Sequence, residues 1–179
     1  MIKRVELGAG MRTPEGSIGI DIRPFKGIDY VLDIGKDPLP FRSGTIDEIH
    51  ADNLYEHLTA DQLFFSMDEC FRVLKPMGFL YIKVPIYGTQ AWLIHPDHKM
   101  HWNRNMVGFF EVPDNEGHID PHGYLKGFWH HEFIEDENKP EESLWFKMYP
   151  NKPNGRFPYF KVKRASGRWE EAMRRRNNE

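Results

Sequence analysis

Short apolar runs separated by turn-forming residues fill the first part of the chain. They lie at Ile2–Leu7, Ile18–Ile22, Asp29–Ile34 and Ile46–Ala51, and the residues that bound them are glycine, proline or aspartate. Apolar runs of this length with such boundaries are typical of buried β-strands. The pattern therefore predicts four strands inside a sheet, separated by unusually short connections.

An amphipathic helix is predicted from Ala60 to Leu74. Thr59 and Gln62 have the spacing of a capping box, and Pro76 and Gly78 end the helical pattern. Apolar residues recur at helical spacing on one face of this segment: Leu63, Phe64, Met67, Cys70, Phe71 and Leu74. A nearly continuous apolar strand follows the helix, over residues 79–85.

The pattern changes at Ile86. Residues 86–124 are rich in histidine, proline, asparagine and glycine, and we interpret them as an active-site lid or a substrate-side insertion. Gly127–Ile134 and Ser143–Tyr149 are expected to form an antiparallel hairpin, and Phe157–Val162 a further strand. Together the elements predict an α/β fold, a mostly parallel sheet with an antiparallel edge.

Composition and charge limit the class of protein. The 179 residues fit one domain, 1–179, and 40% hydrophobic residues favour a folded chain. A net charge of −3 argues against a nucleic-acid partner. Positive charge is concentrated at residues 163–179, which we interpret as a solvated basic tail in preference to a phosphate-binding arm.

Features tied to cellular location point to a cytoplasmic protein. Cys70 is the only cysteine, so no disulfide can form within the chain, and we interpret it as a core residue. No apolar run is long enough for a membrane span, and the N-terminus lacks the apolar core of a signal peptide. We therefore expect no membrane association.

Polar residues stand where the first three predicted strands end. Glu6 is followed by Gly8-Ala9-Gly10, which lets the backbone turn sharply and approach a ligand closely. Asp21 ends the second strand, and a carboxylate there can accept hydrogen bonds from both hydroxyls of a ribose. Each feature alone also fits an ordinary turn. Their shared position at the carboxyl edge of a sheet favours a nucleoside-binding crevice.

The third strand end adds Asp33 and Ile34. Asp33 offers an acceptor for the amino group of an adenine, and Ile34 offers an apolar surface for its ring. These two residues follow the same order, acid then isoleucine, as Asp21 and Ile22. The register of the three strand ends therefore strengthens the nucleoside interpretation.

Five motifs in this order resemble those of class I methyltransferases that depend on S-adenosylmethionine (SAM), in particular the type-11-like group. The resemblance runs from Val5 to Val84 and more loosely to Phe110. The matching segments are Glu6-Leu7-Gly8-Ala9-Gly10, Gly19-Ile20-Asp21-Ile22, Asp33-Ile34 with Pro38-Leu39-Pro40-Phe41, residues 46–51 with Leu54-Tyr55-Glu56-His57-Leu58, and residues 69–78, which are similar to E-x-x-R-V-L-K-P-G-G.

The resemblance implies a Rossmann-like, seven-stranded sheet whose last two strands form the antiparallel C-terminal hairpin. It implies SAM as cofactor, with Glu6 near the methionine amino group, the glycines beneath the cofactor, Asp21 at the ribose and Asp33 at the adenine. The cofactor-binding positions implied are Glu6, Gly8, Ala9, Gly10, Asp21, Ile22, Asp33, Ile34, Asn53 and Leu54.

Candidate catalytic and substrate-side residues follow the fourth strand. His57 is the best-placed candidate base, because histidine titrates near neutral pH, although a structural hydrogen bond at the helix entry is the favoured explanation for this residue. Tyr55 and His98 are expected on the substrate side. A base is needed only if the methyl acceptor carries a proton of high pKa.

The sequence departs from the family in its short connections. Residues 11–18 and 23–28 leave no room for helices of ordinary length between parallel strands. We therefore expect fewer helices on one face of the sheet. An uncovered face is expected to be apolar, which favours a homodimer or a protein partner.

Histidines are numerous between residues 95 and 122. His95, His98 and His101 recur every three residues around Asp97, and a second group comprises His118, Asp120 and His122. Such spacing occurs in metal sites. No cysteine joins them and no His-Glu-x-x-His pattern occurs, so we expect no metal and interpret residues 95–99 as positioning substrate or closing over the cofactor.

Three functions are compared. The favoured one is SAM-dependent transfer of a methyl group to a small molecule, glycan or protein. The second is a SAM- or nucleotide-binding module that has lost catalysis, as the shortened connections allow. A Rossmann dehydrogenase is disfavoured because no G-x-G-x-x-G motif or following helix is present.

Overall fold

Seven strands form one mixed sheet in the computed structural model, which describes residues 2–111, 127–134 and 142–152. The strands are β1 (Arg4–Leu7), β2 (Ser17–Asp21), β3 (Tyr30–Val31), β4 (Ile46–Asp52), β5 (Leu74–Pro85), β6 (Trp129–Phe133) and β7 (Ser143–Pro150). Their spatial order is β3-β2-β1-β4-β5-β7-β6. Strands β1 to β5 pair in parallel, and β7 runs antiparallel to both β5 and β6. The expected seven-stranded sheet with its antiparallel hairpin is confirmed.

Helix α1 (Ala60–Val73) begins with the predicted capping box. The Thr59 hydroxyl accepts a hydrogen bond from the Gln62 amide, and the Gln62 side chain accepts one from the Thr59 amide. The helix ends at Val73, because Leu74 already pairs with Ile46 in the sheet; β5 thus starts earlier than residue 79. Two shorter helices follow, α2 (Gln90–Leu93) and α3 (Arg104–Gly108). Within the described ranges, none of the helices has the length and apolar character of a membrane span.

The core lies between one face of the sheet and α1. Alternating residues of the central strands, such as Val5, Ile49 and Ile82, are fully buried there against Leu63 and Met67 of the helix. The segment that follows β5 adds further fully buried side chains to this core: Trp102, Val107 and Phe110. Part of the segment interpreted as a lid or insertion therefore belongs to the hydrophobic core.

Tight loops replace the helices expected between the first parallel strands. The Thr13 hydroxyl in the β1–β2 loop donates a hydrogen bond to the carbonyl of Gly27 in the β2–β3 loop, 3.1 Å away. A Cβ atom at Gly19 of β2 would lie 2.5 Å from the Thr13 hydroxyl oxygen and 3.2 Å from the Gly27 carbonyl oxygen. Both loops therefore cross directly over β2, and the absence of a side chain at Gly19 permits the short connections. The expected reduction in helices is confirmed.

The sheet face opposite α1 carries charged and aromatic side chains. Lys83 lies over the Trp145 ring at 4.7 Å, and Lys147 lies over the Phe79 ring at 4.8 Å. The same face carries Arg4, Glu6, Glu48, His50, Tyr81 and Tyr149. The expectation of an apolar face was wrong, because alternation along each strand places the aliphatic residues against α1. A homodimer or a protein partner stays a prediction, and it is no longer supported by an exposed apolar sheet face.

Some expectations concern residues outside the described ranges. They include the second histidine group (His118, Asp120 and His122), the strand at 157–162 and the basic tail at 163–179. The insertion at 86–124 is described as far as residue 111. These expectations, the single-domain assignment and the cytoplasmic location stay predictions.

Candidate functional site

A cleft of about 550 Å³ opens at the carboxyl ends of β1 to β4. This volume is in the range of small-molecule sites, and open α/β sheets bind ligands at this edge. The cleft brings together most of the residues singled out from sequence: Gly8, Gly10, Asp21, Ile22, Asp33, Ile34, Leu54 and His57. Residues that the sequence did not identify as site residues also line it: Met11, Arg23, Phe25, Leu32, Leu58 and Gln62.

The glycine turn after β1 forms one wall of the cleft. Gly8 and Gly10 have φ angles of 63° and 57°, in the left-handed region that favours glycine. A Cβ atom at Gly8 would lie 2.8 Å from Cδ1 of Leu54, a residue that also lines the cleft. Ala9, between the glycines, donates its amide to the carbonyl of Ile20 at 3.1 Å. Ala9 thus ties the turn to β2 and does not line the cleft.

Asp21 connects the ends of the first two strands. Its Oδ2 accepts a hydrogen bond from the Gly10 amide and its Oδ1 one from the Arg23 amide, each at 2.9 Å. The residue is 8% exposed. Each carboxylate oxygen has a second lone pair, which can accept a hydrogen bond from a ligand hydroxyl in the cleft. Asp21 therefore serves both as a turn-capping residue and as an available acceptor.

Asp33 and Ile34 follow β3 on the adjacent wall. Oδ1 of Asp33 accepts a hydrogen bond from the Gly35 amide at 3.0 Å, and its Oδ2 lies 3.4 Å from Nζ of Lys36. Ile34 is buried against the core, whereas Ile22 is 60% exposed where it borders the cleft. The two isoleucines thus offer apolar surface beside two carboxylates.

The loop that carries Asp33 is held by helix α1. Arg72 donates hydrogen bonds to the carbonyls of Leu39 and Phe41 at 2.9 and 2.8 Å. Glu69 accepts one from the Leu39 amide at 2.8 Å and pairs with Arg72 at 2.6 Å. Two motifs that lie far apart in sequence, Leu39-Pro40-Phe41 and the Glu69/Arg72 pair, are therefore in direct contact. Their contact fixes the loop that lines the cleft.

The exit of β4 has a left-handed backbone. Asn53 has a φ angle of 50° and, within the described ranges, is the one residue other than glycine with a positive φ. Its amide donates to the Lys83 carbonyl at 2.9 Å. Asparagine tolerates this conformation better than most residues. Asn53 is exposed and does not line the cleft, although the next residue, Leu54, does.

A single 3-10 turn, Tyr55–His57, directs three successive side chains to three different places. With three residues per turn, consecutive side chains point about 120° apart. Tyr55 points into the core, where its hydroxyl lies 3.2 Å from the Ser66 hydroxyl. Glu56 is buried on a second side, and His57 reaches the cleft. Tyr55 was expected on the substrate side, but the structure places its side chain in the core.

Burial shifts the titration of several groups around this turn. It raises the pKa of Tyr55 well above its usual range and that of its neighbour Cys70 to about 12. It raises the pKa of Glu56 to about 7. Burial also lowers the pKa of His98. Cys70 is therefore an unreactive core thiol, as predicted.

The segment after α2 packs on the 3-10 turn and closes one end of the cleft. The amides of Lys99 and Met100 both donate to the Glu56 carbonyl, at 2.7 and 3.0 Å. Asp97 and Lys99 consequently line the cleft. His98 is turned away from it, with Nδ1 2.9 Å from the Trp92 carbonyl oxygen. The aspartate and the lysine of this segment therefore lie at the cleft, and its role in positioning substrate or closing over the cofactor stays a prediction.

Glu6 lies away from the cleft. Strand alternation buries Val5 and Leu7 against α1 and places Glu6 on the opposite face, where it pairs with Arg4 at 2.5 Å. The motif position was recognisable in the sequence, but the direction of the side chain is set by the pairing of β1 in the sheet.

Comparison with known proteins gives matches among solved structures only; no protein-family model and no curated protein sequence matches the chain. A SAM-dependent methyltransferase from Archaeoglobus fulgidus superposes with a TM-score of 0.57 at 17% identity, over 84% of this chain and 86% of that one. The protein solved in complex with the Haloferax volcanii Trm112 methyltransferase activator gives 0.56 at 15% identity, over 84% and 83%.

A third structure is phosphoethanolamine N-methyltransferase 1 of Haemonchus contortus, solved with phosphoethanolamine and S-adenosylhomocysteine. Its TM-score is 0.56 at 11% identity, over 99% of this chain and 44% of that one. Identities this low establish the fold and leave the activity open. The strand order, the antiparallel hairpin and the superpositions agree: the chain has the Rossmann-like fold of the class I SAM-dependent methyltransferases.

Proposed function

We propose that the chain is a SAM-dependent methyltransferase that binds its cofactor in the cleft at the carboxyl ends of β1 to β4. One observation carries the proposal: a glycine turn with left-handed backbone and the two carboxylates Asp21 and Asp33 line the same cleft. Carboxylates placed in this way can accept hydrogen bonds from ribose hydroxyls and from an adenine amino group.

The residues present fit the cofactor. The glycine turn lines the cleft with backbone at Gly8 and Gly10, and a Cβ atom at Gly10 would meet nothing closer than 4.0 Å, so a ligand can approach the backbone closely there. Ile22 exposes an apolar surface at the cleft that an adenine ring would cover. In the proposed arrangement Asp21 holds the ribose, and Asp33 with Ile34 contacts the adenine. Bound SAM would supply an electrophilic methyl group on its sulfonium.

The acceptor is proposed to enter at the opposite end, beside Leu54 and His57. Leu58, Asp97 and Lys99 line the cleft together with these two residues. Methyl transfer is accelerated mainly by holding the acceptor in line with the methyl group, which packed side chains can do. His57 is the proposed base for an acceptor that must lose a proton; its Nδ1 lies 3.0 Å from Oδ2 of Asp97.

Calorimetric titration with SAM, S-adenosylhomocysteine and NAD tests the cofactor assignment. We expect binding of the first two and none of NAD. Removal of a charged acceptor in D21A and D21N should weaken SAM binding about 10- to 100-fold. E48Q, on the opposite face of the sheet, is the matched control and should bind as the unaltered chain does. Equal affinity of D21A and E48Q for SAM would contradict the assignment of Asp21.

Release of S-adenosylhomocysteine in the presence of small-molecule, glycan and protein acceptor pools tests catalysis. Release above background in one pool identifies the acceptor class. SAM binding without release in any pool would instead support a module that binds the cofactor and has lost catalysis.

A further inference from the structure

Three side chains that can bind a metal converge beside the acceptor end of the cleft. Glu56 and His57 come from the 3-10 turn, and His98 comes from the segment packed on that turn. One ligand atom of each lies within 4.8 Å of those of the other two. Oε1 of Glu56 is 4.0 Å from Nε2 of His98, and the rings of His57 and His98 are 4.8 Å apart.

Glu56 is the residue that most needs a partner. It is 1% exposed, and its Oε2 has no hydrogen-bond partner among the residues that the structure describes. A buried carboxylate without compensation is strongly unfavourable, so such a group either takes up a proton or faces a cation. The side chain is directed toward the two imidazoles, so a cation between them would provide that compensation.

His98 is oriented as metal-bound histidines usually are. Its Nδ1 lies 2.9 Å from the carbonyl oxygen of Trp92, and a carbonyl can only accept a hydrogen bond. Nδ1 therefore carries the proton, and Nε2 presents its lone pair toward Glu56. A backbone carbonyl that fixes the tautomer in this way is the common second partner of a metal-bound histidine. Only 3% of the His98 side chain is exposed, so this orientation is held by packing.

We propose that Glu56, His57 and His98 bind one divalent transition-metal ion, with Zn²⁺ the best match. Two imidazole nitrogens and one carboxylate oxygen form the ligand set of zinc sites that keep a fourth position open. Tetrahedral zinc at its usual bond lengths separates ligand atoms by about 3.4 Å, so the observed 4.0 Å needs only a small rotation of Glu56. This proposal replaces the sequence-based expectation of no metal.

The fourth position would face the cleft. Asp97 borders it, with Oδ2 3.0 Å from Nδ1 of His57 in a geometry that does not make a hydrogen bond. A group of the methyl acceptor could take that position in place of Asp97. An acceptor oxygen or sulfur bound to the ion would lose its proton more readily. This step rests on the proposed methyl transfer, and in it His57 holds the metal in place of the role of base proposed above.

Metal binding is measured on the full chain without SAM. The chain is first stripped with EDTA, then incubated with Zn²⁺ and dialysed to remove the excess. We expect about one Zn²⁺ per chain by mass spectrometry, and a higher unfolding temperature than that of the stripped chain. E56Q and H98A should each weaken Zn²⁺ binding by about 100-fold or more. H95A is the matched control, because the exposed ring of His95 lies 4.9 Å from that of His98 but is not a proposed ligand; its affinity should be unchanged.

Cobalt substitution in the unaltered chain keeps the test decisive if a variant fails to fold. Intense visible absorption, typical of tetrahedral Co²⁺, is expected. Three results would overturn the proposal: the weak absorption of an octahedral aqua ion, less than about 0.1 Zn²⁺ per chain, or equal affinities of E56Q and H95A for Zn²⁺. Glu56 would then be a buried protonated acid. The cofactor assignment is tested separately, since D21N should lose SAM affinity and keep its Zn²⁺.

Discussion

Replacing Gly8 by alanine tests the geometry of the glycine turn. The added methyl group has two consequences in the structure. The backbone at Gly8 has a φ of 63°, which is unfavourable for alanine by about 1–2 kcal/mol. The Cβ atom would also lie 2.8 Å from Cδ1 of Leu54, and displacing that flexible side chain costs about 1–2 kcal/mol more. We expect G8A to lose about 2–4 kcal/mol in its free energy of unfolding.

Gly16 provides a matched control within the same loop. Its φ is 79°, equally unfavourable for alanine, but a Cβ atom there meets nothing within 4 Å. G16A should therefore lose only the backbone component, about 1–2 kcal/mol. Urea denaturation followed by tryptophan fluorescence measures both variants. Calorimetry with SAM should show weaker binding for G8A, because its methyl group displaces Leu54, which lines the cleft, and unchanged binding for G16A.

Two results would refute this reasoning. Equal losses of stability in G8A and G16A would mean that the Gly8–Leu54 approach has no energetic consequence. Unchanged SAM affinity in a folded G8A would mean that the cofactor does not lie against this turn.

Other consequences of the structure are equally open to measurement. The free energy of unfolding of G19A should be about 2–3 kcal/mol lower, because its Cβ would collide with Thr13 where the loops cross β2. A decrease below about 0.5 kcal/mol in urea denaturation would contradict that crossing. R72A should weaken SAM binding about tenfold in calorimetry, although Arg72 lies outside the cleft, because the variant loses two hydrogen bonds that hold the loop after β3. Unchanged affinity would show that the loop keeps its conformation without Arg72. Cys70, with its pKa raised to about 12, should resist a thiol reagent at pH 8 until guanidinium unfolds the chain, and rapid native labelling would argue against its burial. Y55F should lose about 1 kcal/mol of stability and keep its rate of S-adenosylhomocysteine release, whereas a selective loss of rate would restore a substrate-side role for Tyr55.

Local signals were sufficient for much of the fold. The capping box at Thr59 and the helical spacing that follows it depend on neighbours within a few residues, so α1 was predictable to within one residue at its end. The glycine turn and the acids at the strand ends were equally recognisable. Because parallel strands share their carboxyl edge, the meeting of Asp21 and Asp33 in one cleft also followed from sequence.

Contacts between distant segments were beyond the sequence pattern. Arg72 reaches Leu39 and Phe41 across the fold, and Trp102 enters the core from a segment without clear periodicity. The helical and strand periods describe a face of one element and not the surface it will meet. The presence of these residues was visible in the sequence, but their partners were not.

Side-chain direction separates what sequence determined from what tertiary structure decided. The sequence by itself determined the strands, the main helix, the glycine turn and the residues of the cofactor motifs. The tertiary structure decided that Glu6 faces away from the cleft and Tyr55 into the core, and it brought the buried Glu56 to His98. The physical reason is that a motif fixes residue type and spacing, whereas strand pairing and the packing of a single 3-10 turn fix which way each side chain points.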